Sequence, residues 1–450
     1  MVDPTAAALR VMRLLREGRI REPAVRTDLS VPADGAEELQ RSWDEAVRAH
    51  GRILRTGVPS RDRLSPTAIQ VRIPLYCEQG GFGFGAMFDP DDRLIGLRLP
   101  KLDWAEPWQP PDYVDPEALT EQELTIGAGP FAVPGTLTLP AARPAAPGRG
   151  PAEPGITTAA ITGSGITTAS GPVPGVVLLT GSGPCDRDST LSAYPRNKPF
   201  KDLAWRLAGR GIAVLRYDKV VRTHAGRLDT EKFTLTDEYA HAGPAITLLR
   251  QQPAVDPSRI FLLGHSLGGS MAPGIAMGEP AIAGVIILAG GAQPPHHALL
   301  RQYRYLASLR AEPDPDLAAQ LAELAERVAR FDTSGAVAEP LLPGVPLHYW
   351  QDWIALDPVG TAAALDRRLL VLQGGRDYQV TVDDDLALWR AGLAGRPHVT
   401  ITVHEADDHQ FFPGSGRSTP DSYLSAQHMD PAVVAEIAAW IGARPGQAPM

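Results

Sequence analysis

The sequence predicts an α/β protein with a mostly parallel sheet that carries helices on both faces, preceded by a smaller α+β unit. From Val176 onward, short apolar runs alternate with runs of helical periodicity. Strand-like runs such as VVLL and VIIL are apolar at every position. Strands of this kind, separated by helices, are typical of a parallel sheet buried on both faces. At 450 residues the chain is also long enough for two units.

The composition argues against several classes of function. The net charge of -9 is unsuited to nucleic-acid binding, which needs a basic face. Cys77 and Cys185 lie far apart, which argues against a disulfide framework and fits a reducing compartment. The N-terminal residues indicate an arginine-interrupted amphipathic helix and not a secretory signal. No run approaches the roughly 18 apolar residues of a membrane span, so we expect a cytoplasmic protein that does not bind a membrane.

Residues 1–105 are expected to form a small α+β accessory domain. Ala8, Val11, Met12 and Leu15 have helical spacing, and a second helix is predicted from Leu39 to Gly51. Three strand-like runs follow, AIQVRIPLYC, GFGFGAMF and RLIGLRL. No nucleophile, base or ligand set is clustered in this region, so we expect no chemistry from it.

A linker and an insertion follow. Residues 106–122 are rich in proline and acidic residues and predict a linker, which leaves 123–445 as the main domain. The run at 124–140 predicts a pair of strands. Residues 142–175 are rich in Pro, Gly, Ala and Thr and contain GITTA twice, which predicts an exposed, flexible insertion.

The main domain then alternates strands and helices. Strands are predicted at 176–180, 212–217, 259–264, 283–290, 368–374 and 399–405. A helical stretch over about 295–355 interrupts the alternation and predicts a cap. Its aromatic side chains either form walls of a substrate pocket or simply pack the cap on the core: Tyr303, Tyr305, Tyr349, Trp350 and Trp353.

The run FLLGHSLGG at 261–269 carries the strongest chemical signal, because it contains G-x-S-x-G centred on Ser266. A buried strand precedes it and a helix rich in small residues follows. This context is typical of a nucleophile elbow, in which a tight turn needs small neighbours and presents the serine hydroxyl. The alternative is a glycine-rich turn that happens to contain serine. We interpret Ser266 as a catalytic nucleophile.

A serine nucleophile needs a histidine base and an orienting carboxylate, which in this architecture follow the serine in the order acid, then histidine. Asp377 lies just past the end of a predicted strand, where the acid belongs. Its rivals Asp383, Asp384 and Asp385 begin the next predicted helix and are more simply charges that cap its N-terminus.

VTITVHEADDHQFF supplies two candidate bases, and we favour His409 over His404 because it lies in the loop beyond the strand. Asp407 and Asp408 are interpreted as solvated loop charges, with orientation of the imidazole as the alternative. HEADDH does not match the zinc motif that it resembles, because that motif needs histidines four apart on a helix. We expect no metal and no cofactor.

GSGPCDRDST at 181–190 follows the first strand of the alternation. It lacks the third glycine of a dinucleotide fingerprint and the lysine of a P-loop. In an α/β-hydrolase the loop at this place supplies an oxyanion-hole donor. We therefore predict that the N–H of Ser182 (or of Gly183) acts with that of Leu267, a plain turn being the alternative.

Several motifs together resemble a bacterial serine esterase family of the α/β-hydrolase superfamily: GSGPCDRDST, NKPFKDLAWRLAGRGIAVLRYDK, RIFLLGHSLGG, GGRDYQVT and DHQFFPGSG. The resemblance covers about 123–445. Residues 1–100 also resemble a small α+β domain that precedes such hydrolases, through Trp43 and FDPDDRLIGLRL. The resemblance implies an α/β-hydrolase fold with Ser266 as nucleophile, Asp377 as acid and His409 as base.

Five charged residues in two of these motifs look shared with the family: Arg187, Asp188, Arg216, Asp218 and Lys219. We interpret them as residues that brace the loop at 181–190. The alternative is that they contact a polar substrate. Thr180 departs from the pattern, since it stands where many α/β-hydrolases have the histidine of a His-Gly motif. The local bracing of the oxyanion loop must therefore differ.

The predicted function is ester hydrolysis through an acyl-enzyme, acting on a small-molecule acyl substrate. The pocket candidates with the strongest claim are Tyr303, Trp350 and Trp353. The same triad would also serve an acyltransferase, a cyclase or lactonase of a biosynthetic pathway, or a peptidase on short peptides. A binding protein on an inactive hydrolase scaffold is the alternative from another class.

Overall fold

The protein is described from a computed structural model. The described residues are 4–56, 59–65, 68–78, 80–91, 93–99, 101–102, 108–141, 171–191, 197–229, 232–309, 315–334 and 345–443. Most of the predicted insertion, residues 142–170, lies outside them.

The described N-terminal residues form three α-helices and a six-stranded antiparallel sheet. The helices are α1 (Pro4–Arg16), α2 (Pro23–Leu29) and α3 (Ala33–His50). The strands are β1 (Ile53–Thr56), β2 (Ser60–Ser65), β3 (Ala68–Cys77), β4 (Gly80–Phe88), β5 (Leu94–Arg98) and β6 (Lys101–Leu102). Trp43 on α3 lies edge-on to Phe82 and Phe84 of β4, which ties this helix to the sheet through aromatic contacts.

Among the described residues, the second sheet has eight strands. They are β7 (Leu119–Ile126), β8 (Val133–Pro140), β9 (Val173–Leu179), β10 (Ala213–Tyr217), β11 (Val255–His265), β12 (Ile282–Leu288), β13 (Arg368–Gly374) and β14 (Val399–His404). Their spatial order is β14-β13-β12-β11-β9-β10-β8-β7. Strands β9 to β14 pair in parallel, whereas β8 is antiparallel to both of its neighbours. β7 begins at Leu119, inside the stretch that the sequence predicts as linker.

Eleven helices among the described residues accompany this sheet. They are α4 (Pro199–Ala208), α5 (Val220–Thr223), α6 (Leu235–Glu238), α7 (Ala242–Arg250), α8 (Leu267–Gly278), α9 (Pro295–Ala307), α10 (Pro315–Ser334), α11 (Leu347–Ala355), α12 (Pro358–Ala364), α13 (Ala387–Gly392) and α14 (Pro431–Gly442). Between β10 and β11, residues 235–250 form two separate helices, α6 and α7.

Both faces of the second sheet are covered, as the apolar strands predict. Leu203 of α4 and Ile437 of α14 belong to the core on one face. Ile246 of α7 and Trp389 of α13 belong to the core on the other. Strand residues alternate between these two cores because successive side chains point to opposite faces of a sheet.

The strand order creates the place for a site. After β9 the chain moves to β10 on one side, then returns to β11 on the other side of β9. The loops that leave the carboxyl ends of β9 and β11 therefore diverge and leave a crevice between them, which is where open α/β sheets bind ligands. Helices α9, α10 and α11 lie between β12 and β13 in the chain, in the stretch predicted as a cap. Within the described part of the chain, no helix combines the length and the apolarity that a membrane crossing requires.

Candidate active site

Ser266 occupies a strained turn between β11 and α8. Its backbone has φ 55° and ψ −124°, a left-handed conformation that non-glycine residues rarely adopt. Its N–H donates to the carbonyl of Leu288 at 2.9 Å, which anchors the turn to the neighbouring strand. Strain held by the surrounding structure is typical of functional residues, and this turn places Ser266 at the N-terminus of α8.

The glycines on both sides of Ser266 are required by close backbone approach. A Cβ on Gly264 would lie 2.0 Å from the carbonyl oxygen of Gly268, and one on Gly268 would lie 2.4 Å from that of Leu179. Only glycine leaves room for such contacts. The G-x-S-x-G spacing therefore reflects packing of the turn against β9 as well as its own curvature.

Asp377 and His409 meet at the carboxyl ends of β13 and β14. Nδ1 of His409 lies 2.7 Å from Oδ2 of Asp377, and both residues are buried. The N–H groups of Gln379 and Val380 donate to the other carboxylate oxygen at 2.7 and 3.0 Å. The amide of Gln373 donates to Oδ2 at 3.1 Å. These donors hold the carboxylate in one orientation towards the imidazole.

The electrostatics of His409 favour its protonated form. Burial by itself lowers the pKa of His409, but the charge of Asp377 and the hydrogen bond to it outweigh burial and raise the pKa above its ordinary value of 6.5. Because Nδ1–H donates to Asp377, the lone pair of Nε2 is the one that remains to accept a proton.

His265, which sequence analysis did not single out, packs against His409 with ring centroids 4.7 Å apart. Its Nε2–H donates to the carbonyl of His409 at 2.7 Å. Burial is the main cause that lowers the pKa of His265 to about 3, and the proximity of His409 adds to it. The ring of His265 is therefore neutral, and it supports the loop that carries His409 by donating a hydrogen bond to it. The only indication of this role in the sequence is the position of His265 inside GHSLGG.

His404 is held away from Asp377. Its Nε2 pairs with Oε2 of Glu436 on α14 at 3.0 Å, and this hydrogen bond is the main reason that the pKa of His404 is raised. The structure thus brings His409, and not His404, to the acid that the sequence predicts.

Asp407 and Asp408 are not solvated, so that prediction is wrong. Both are buried in the loop that carries His409. Asp408 accepts hydrogen bonds from the N–H groups of Gln410 and Phe412 and so shapes the loop. Burial, reinforced by the charge of Asp430, raises the pKa of Asp407 to about 7. A run of charged residues in a sequence does not indicate whether other parts of the chain pack over those residues and bury them.

The loop after β9 lies beside the elbow. A Cβ on Gly181 would lie 3.1 Å from Cβ of Ser266, so the two backbones are in close proximity. Ser182 and Gly183 share a cavity wall with Ser266 and Leu267. Among the described residues, none accepts a hydrogen bond from the N–H of Ser182 or of Leu267. Both donors are therefore available to a bound group.

The charged residues behind this loop form ion pairs. Nε of Arg187 lies 3.0 Å from Asp218, and Lys198 pairs with Asp188 at 2.8 Å. Arg216, which is almost fully buried, pairs with both Asp188 and Glu121. These contacts link the loop to β7 and β10, and none of these charged residues is among those that line the cavity.

Ser266 opens into a cavity of about 450 Å³ between the cap and the sheet. Most of its lining is apolar or aromatic, including Leu228, Phe233, Val345, Tyr349, Trp350 and Trp353. The indoles of Trp350 and Trp353 stack with centroids 5.5 Å apart. A mostly apolar pocket with a few polar groups is typical of small-molecule sites.

Two of the aromatic candidates lie elsewhere. Tyr303 is 39% exposed and is not among the residues that line this cavity, which corrects its prediction as a pocket wall. Tyr305 stacks on Tyr378 and donates its hydroxyl to the carbonyl of Ser418 at 2.7 Å. Helical spacing on α9 directs these rings away from the cavity.

Asp385 lines the cavity, although sequence analysis treated it as a capping charge. It lies in a π-helical turn at Val382–Leu386, accepts the N–H groups of Ala292 and Gln293, and pairs with Arg301 at 2.8 Å. It thereby ties the loop after β12 to the start of the cap. An aspartate that caps a helix and a buried aspartate that binds neighbouring loops look the same in the sequence. Only the structure distinguishes the two roles.

Two groups among the described residues bring metal-type ligand atoms within 4.8 Å of one another. One is His296, His297 and Asp332 in the cap, and the other is His404, Asp407 and Asp430 around the start of the loop that carries His409. None of the six lines the cavity at Ser266. Neither group includes Ser266, Asp377 or His409.

A largely parallel sheet with helices on both faces, a serine at a strained strand-to-helix turn and a helical cap define an α/β-hydrolase. Over 368 residues the chain is 33% identical to esterase EstD of Thermotoga maritima, which covers 82% of this chain and 78% of that protein. The chain therefore belongs to this bacterial esterase family, a family of carboxylic ester hydrolases. No protein-family model matches it.

Solved structures show looser likenesses. Est1E of Butyrivibrio proteoclasticus has a TM-score of 0.42 at 14% identity, over 71% of this chain and 99% of that chain. A puromycin-hydrolyzing peptidase of Mycobacterium tuberculosis has a TM-score of 0.43 at 18% identity, over 85% of this chain and 46% of that chain. Likenesses at this level say nothing about the substrate.

Proposed function

We propose that this protein hydrolyses carboxylic esters of small molecules through an acyl-enzyme on Ser266, with His409 as base and Asp377 as the orienting acid. The observation that carries the proposal is the buried hydrogen bond between His409 and Asp377 at the same end of the sheet as the strained Ser266. These residue types in this chain order form the triad of serine hydrolases.

In the first half-reaction, Oγ of Ser266 attacks the ester carbonyl carbon while Nε2 of His409 takes the hydroxyl proton. Asp377 keeps Nδ1 protonated and stabilises the imidazolium that forms. Collapse of the tetrahedral intermediate breaks the bond to the alcohol oxygen, and His409 gives its proton to the leaving alcohol. The acyl group remains as an ester of Ser266.

The negative charge of the tetrahedral intermediate needs donors that are already in place. The N–H groups of Leu267 and of Ser182 (or Gly183) are proposed for this role, because they border the cavity beside Ser266 and no described residue accepts a hydrogen bond from them. The N-terminus of α8 adds a favourable dipole. Loss of one such donor typically slows a reaction about 10²- to 10³-fold.

In the second half-reaction, His409 takes a proton from water as its oxygen attacks the acyl carbonyl, and the proton returns to Ser266 when the acid leaves. Each proton that His409 accepts is given back within the same half-reaction, so the triad residues end each cycle unchanged.

The cavity supports a small ester with an apolar portion. Trp350 and Trp353 from the cap, with Phe233 from the core, provide flat apolar surface for it. The relative in Thermotoga maritima is named an esterase, which supports an ester in place of an amide as the scissile bond.

The apolar cap also favours a second candidate, transfer of the acyl group to a nucleophile other than water. An acyltransferase, or a cyclase or lactonase, would use the same triad and would profit from a site that excludes water. The partition of product between acid and acyl adduct, in the presence of an added alcohol or amine, separates transfer from hydrolysis. Cleavage of short peptides is tested on the same enzyme with p-nitroanilide substrates.

We also propose that residues 1–105 are accessory to the chemistry. Their own core, around Trp43, Phe82 and Phe84, supports this division. A panel of short to long acyl esters, run on the full chain and on a chain that begins near Pro110, tests it. Equal specificity profiles support an accessory role, and a lost or altered profile contradicts it.

The decisive experiment is labelling with a fluorophosphonate probe, which phosphonylates an activated serine. We expect labelling at Ser266 in the unchanged protein, loss of p-nitrophenyl acetate hydrolysis on labelling, and neither labelling nor hydrolysis in Ser266→Ala. Ser258→Ala, which removes a hydroxyl from the exposed start of β11, serves as the matched control. A folded protein that hydrolyses the ester without labelling at Ser266 would overturn the proposal.

A further inference from the structure

Lys219, in the short turn between β10 and α5, is buried and makes three hydrogen bonds. Its side chain is 2% exposed, and its ammonium donates to the carbonyl of Gly181, to the carboxylate of Glu238 and to the hydroxyl of Tyr239. An ammonium has three N–H donors, so all of them are used. A buried lysine is stable only when its charge is paired and its donors are satisfied.

The carbonyl of Gly181 belongs to the same peptide group as the N–H of Ser182. In a trans peptide the C=O and N–H bonds point in opposite directions within one plane. A cation that holds the carbonyl oxygen from one side therefore turns the N–H to the other side. A cation at the oxygen also draws electron density from the peptide nitrogen, which makes the N–H a stronger donor.

We propose that Lys219 is a positioning residue for the oxyanion hole: it fixes and polarises the Gly181–Ser182 peptide so that the Ser182 N–H faces the developing oxyanion. This inference rests on the proposed function. It assigns a task to a lysine that the sequence analysis could only group with the charges that brace the loop.

The neighbouring peptide is held by the same cluster. The hydroxyl of Tyr239 donates to the carbonyl of Thr180 at 2.8 Å and accepts from Lys219. Two successive carbonyls of the loop, those of Thr180 and Gly181, are therefore hydrogen-bonded to one buried group of side chains. Thr180 replaces the histidine of the His-Gly motif, and this cluster supplies the bracing that the histidine would otherwise give.

The cluster also reaches the cap. Glu238, which neutralises Lys219, accepts a hydrogen bond from the hydroxyl of Tyr349 on α11. Glu238 and Tyr349 both line the cavity. One chain of hydrogen bonds thus runs from Tyr349 on α11 through Glu238 and Lys219 to the Gly181 carbonyl. The position of α11 therefore influences the position of the loop after β9.

The test compares Lys219→Met with the double variant Lys219→Met/Glu238→Gln, which removes both charges and leaves no unpaired buried carboxylate. The measurements are kcat and KM for p-nitrophenyl acetate, and the inhibition constant of an alkyl boronic acid, whose tetrahedral adduct with serine places an oxygen in the hole. The matched control is Arg368→Met, which removes a partly buried cation at the amino end of β13, away from the proposed site.

We expect kcat to fall about 10²-fold in the folded variants, as on loss of one oxyanion donor. The boronic acid should bind more weakly by a similar factor, with KM changed less than threefold and Arg368→Met close to the unchanged protein. A merely structural role would lower the unfolding temperature without this selective loss of kcat and boronate affinity.

The proposal is overturned if either folded variant keeps its kcat, or if boronate affinity stays the same while kcat falls. Fluorophosphonate labelling of the unchanged protein separates this failure from failure of the triad assignment. Labelling at Ser266 together with an active Lys219→Met variant removes only the role of Lys219, whereas no labelling at Ser266 removes the proposed function itself.

Discussion

Nδ1 of His409 lies 2.7 Å from Oδ2 of Asp377, although the two residues are 32 positions apart in the chain. They meet because β13 and β14 are parallel neighbours, so the loops that follow them leave the same edge of the sheet. The pair is buried and additionally held by the amide of Gln373.

His409→Ala should lower kcat for p-nitrophenyl acetate by at least about 10³-fold, because removal of a triad base leaves only the remaining stabilisation of the transition state. His404→Ala, the matched histidine of the same segment, should keep most of its activity, since its imidazole pairs with Glu436. Circular dichroism verifies that both variants are folded. An active His409→Ala together with an inactive His404→Ala would reverse the assignment.

The pH profile of kcat/KM should report the raised pKa of His409. The base acts only when its imidazole is neutral, and the Asp377 charge keeps it protonated to higher pH. Activity should therefore fall as the pH drops through a value above the ordinary 6.5 of histidine. In Asp377→Asn this acid limb should move to lower pH while kcat falls about 10⁴-fold. An unshifted limb in that variant would show that another group titrates.

Asp407→Asn should change how stability depends on pH. The folded-state pKa of Asp407 is about 7, against about 3.9 for an unfolded aspartate. Its protonated form is favoured in the fold, so its contribution is complete below about pH 4 and is lost as the pH rises through 7.

The unfolding temperature of Asp407→Asn, relative to the unchanged protein, should thus be higher at pH 8 than at pH 5. The charges that act on this carboxyl are those of Asp430, His404 and Asp408. Asp112→Asn, at an exposed position, is the control and should show no such trend. The same difference at both pH values would contradict the assignment.

Trp353→Ala should favour longer acyl chains, because it removes a cavity wall that stacks on Trp350. We expect the ratio of kcat/KM for the p-nitrophenyl hexanoate and acetate esters to rise at least about fivefold, since each methylene in an apolar pocket carries considerable discrimination. Tyr303→Ala removes an exposed ring outside the cavity and should leave this ratio unchanged. A change in Tyr303→Ala alone would restore the sequence-based pocket assignment.

Local chemistry explains why much of the fold was predictable. The apolar strands of the second sheet need burial on both faces, and the sheet places Leu203 and Ile246 on opposite sides of it. The last helix begins at Pro431 behind the cap Asp430, which accepts the N–H of Ala432 at 2.7 Å. By contrast, the predicted linker runs into β7, because hydrogen bonding to β8 gives its polar residues a strand conformation.

The residues that sequence reasoning misread are those whose surroundings come from distant parts of the chain. Asp385, Asp407 and Asp408 have the sequence signature of surface charges, yet each is buried. Arg301 lies 84 positions before its partner Asp385, so no local pattern reveals the pair. Tyr303 lies on α9, a helix that contributes to the cavity, but on a side of α9 that does not line the cavity.

The sequence by itself determined the alternation of strands and helices after Val176, the tight turn at Ser266, and the positions of Asp377 and His409 just past two neighbouring strands, because these depend on local periodicity and on turns that only small residues can make. The tertiary structure alone decided which carboxylates are buried, which aromatic rings line the cavity, and that Lys219 reaches the Gly181 carbonyl. Burial and charge pairing depend on what packs over a side chain, and that comes from residues far away in the chain.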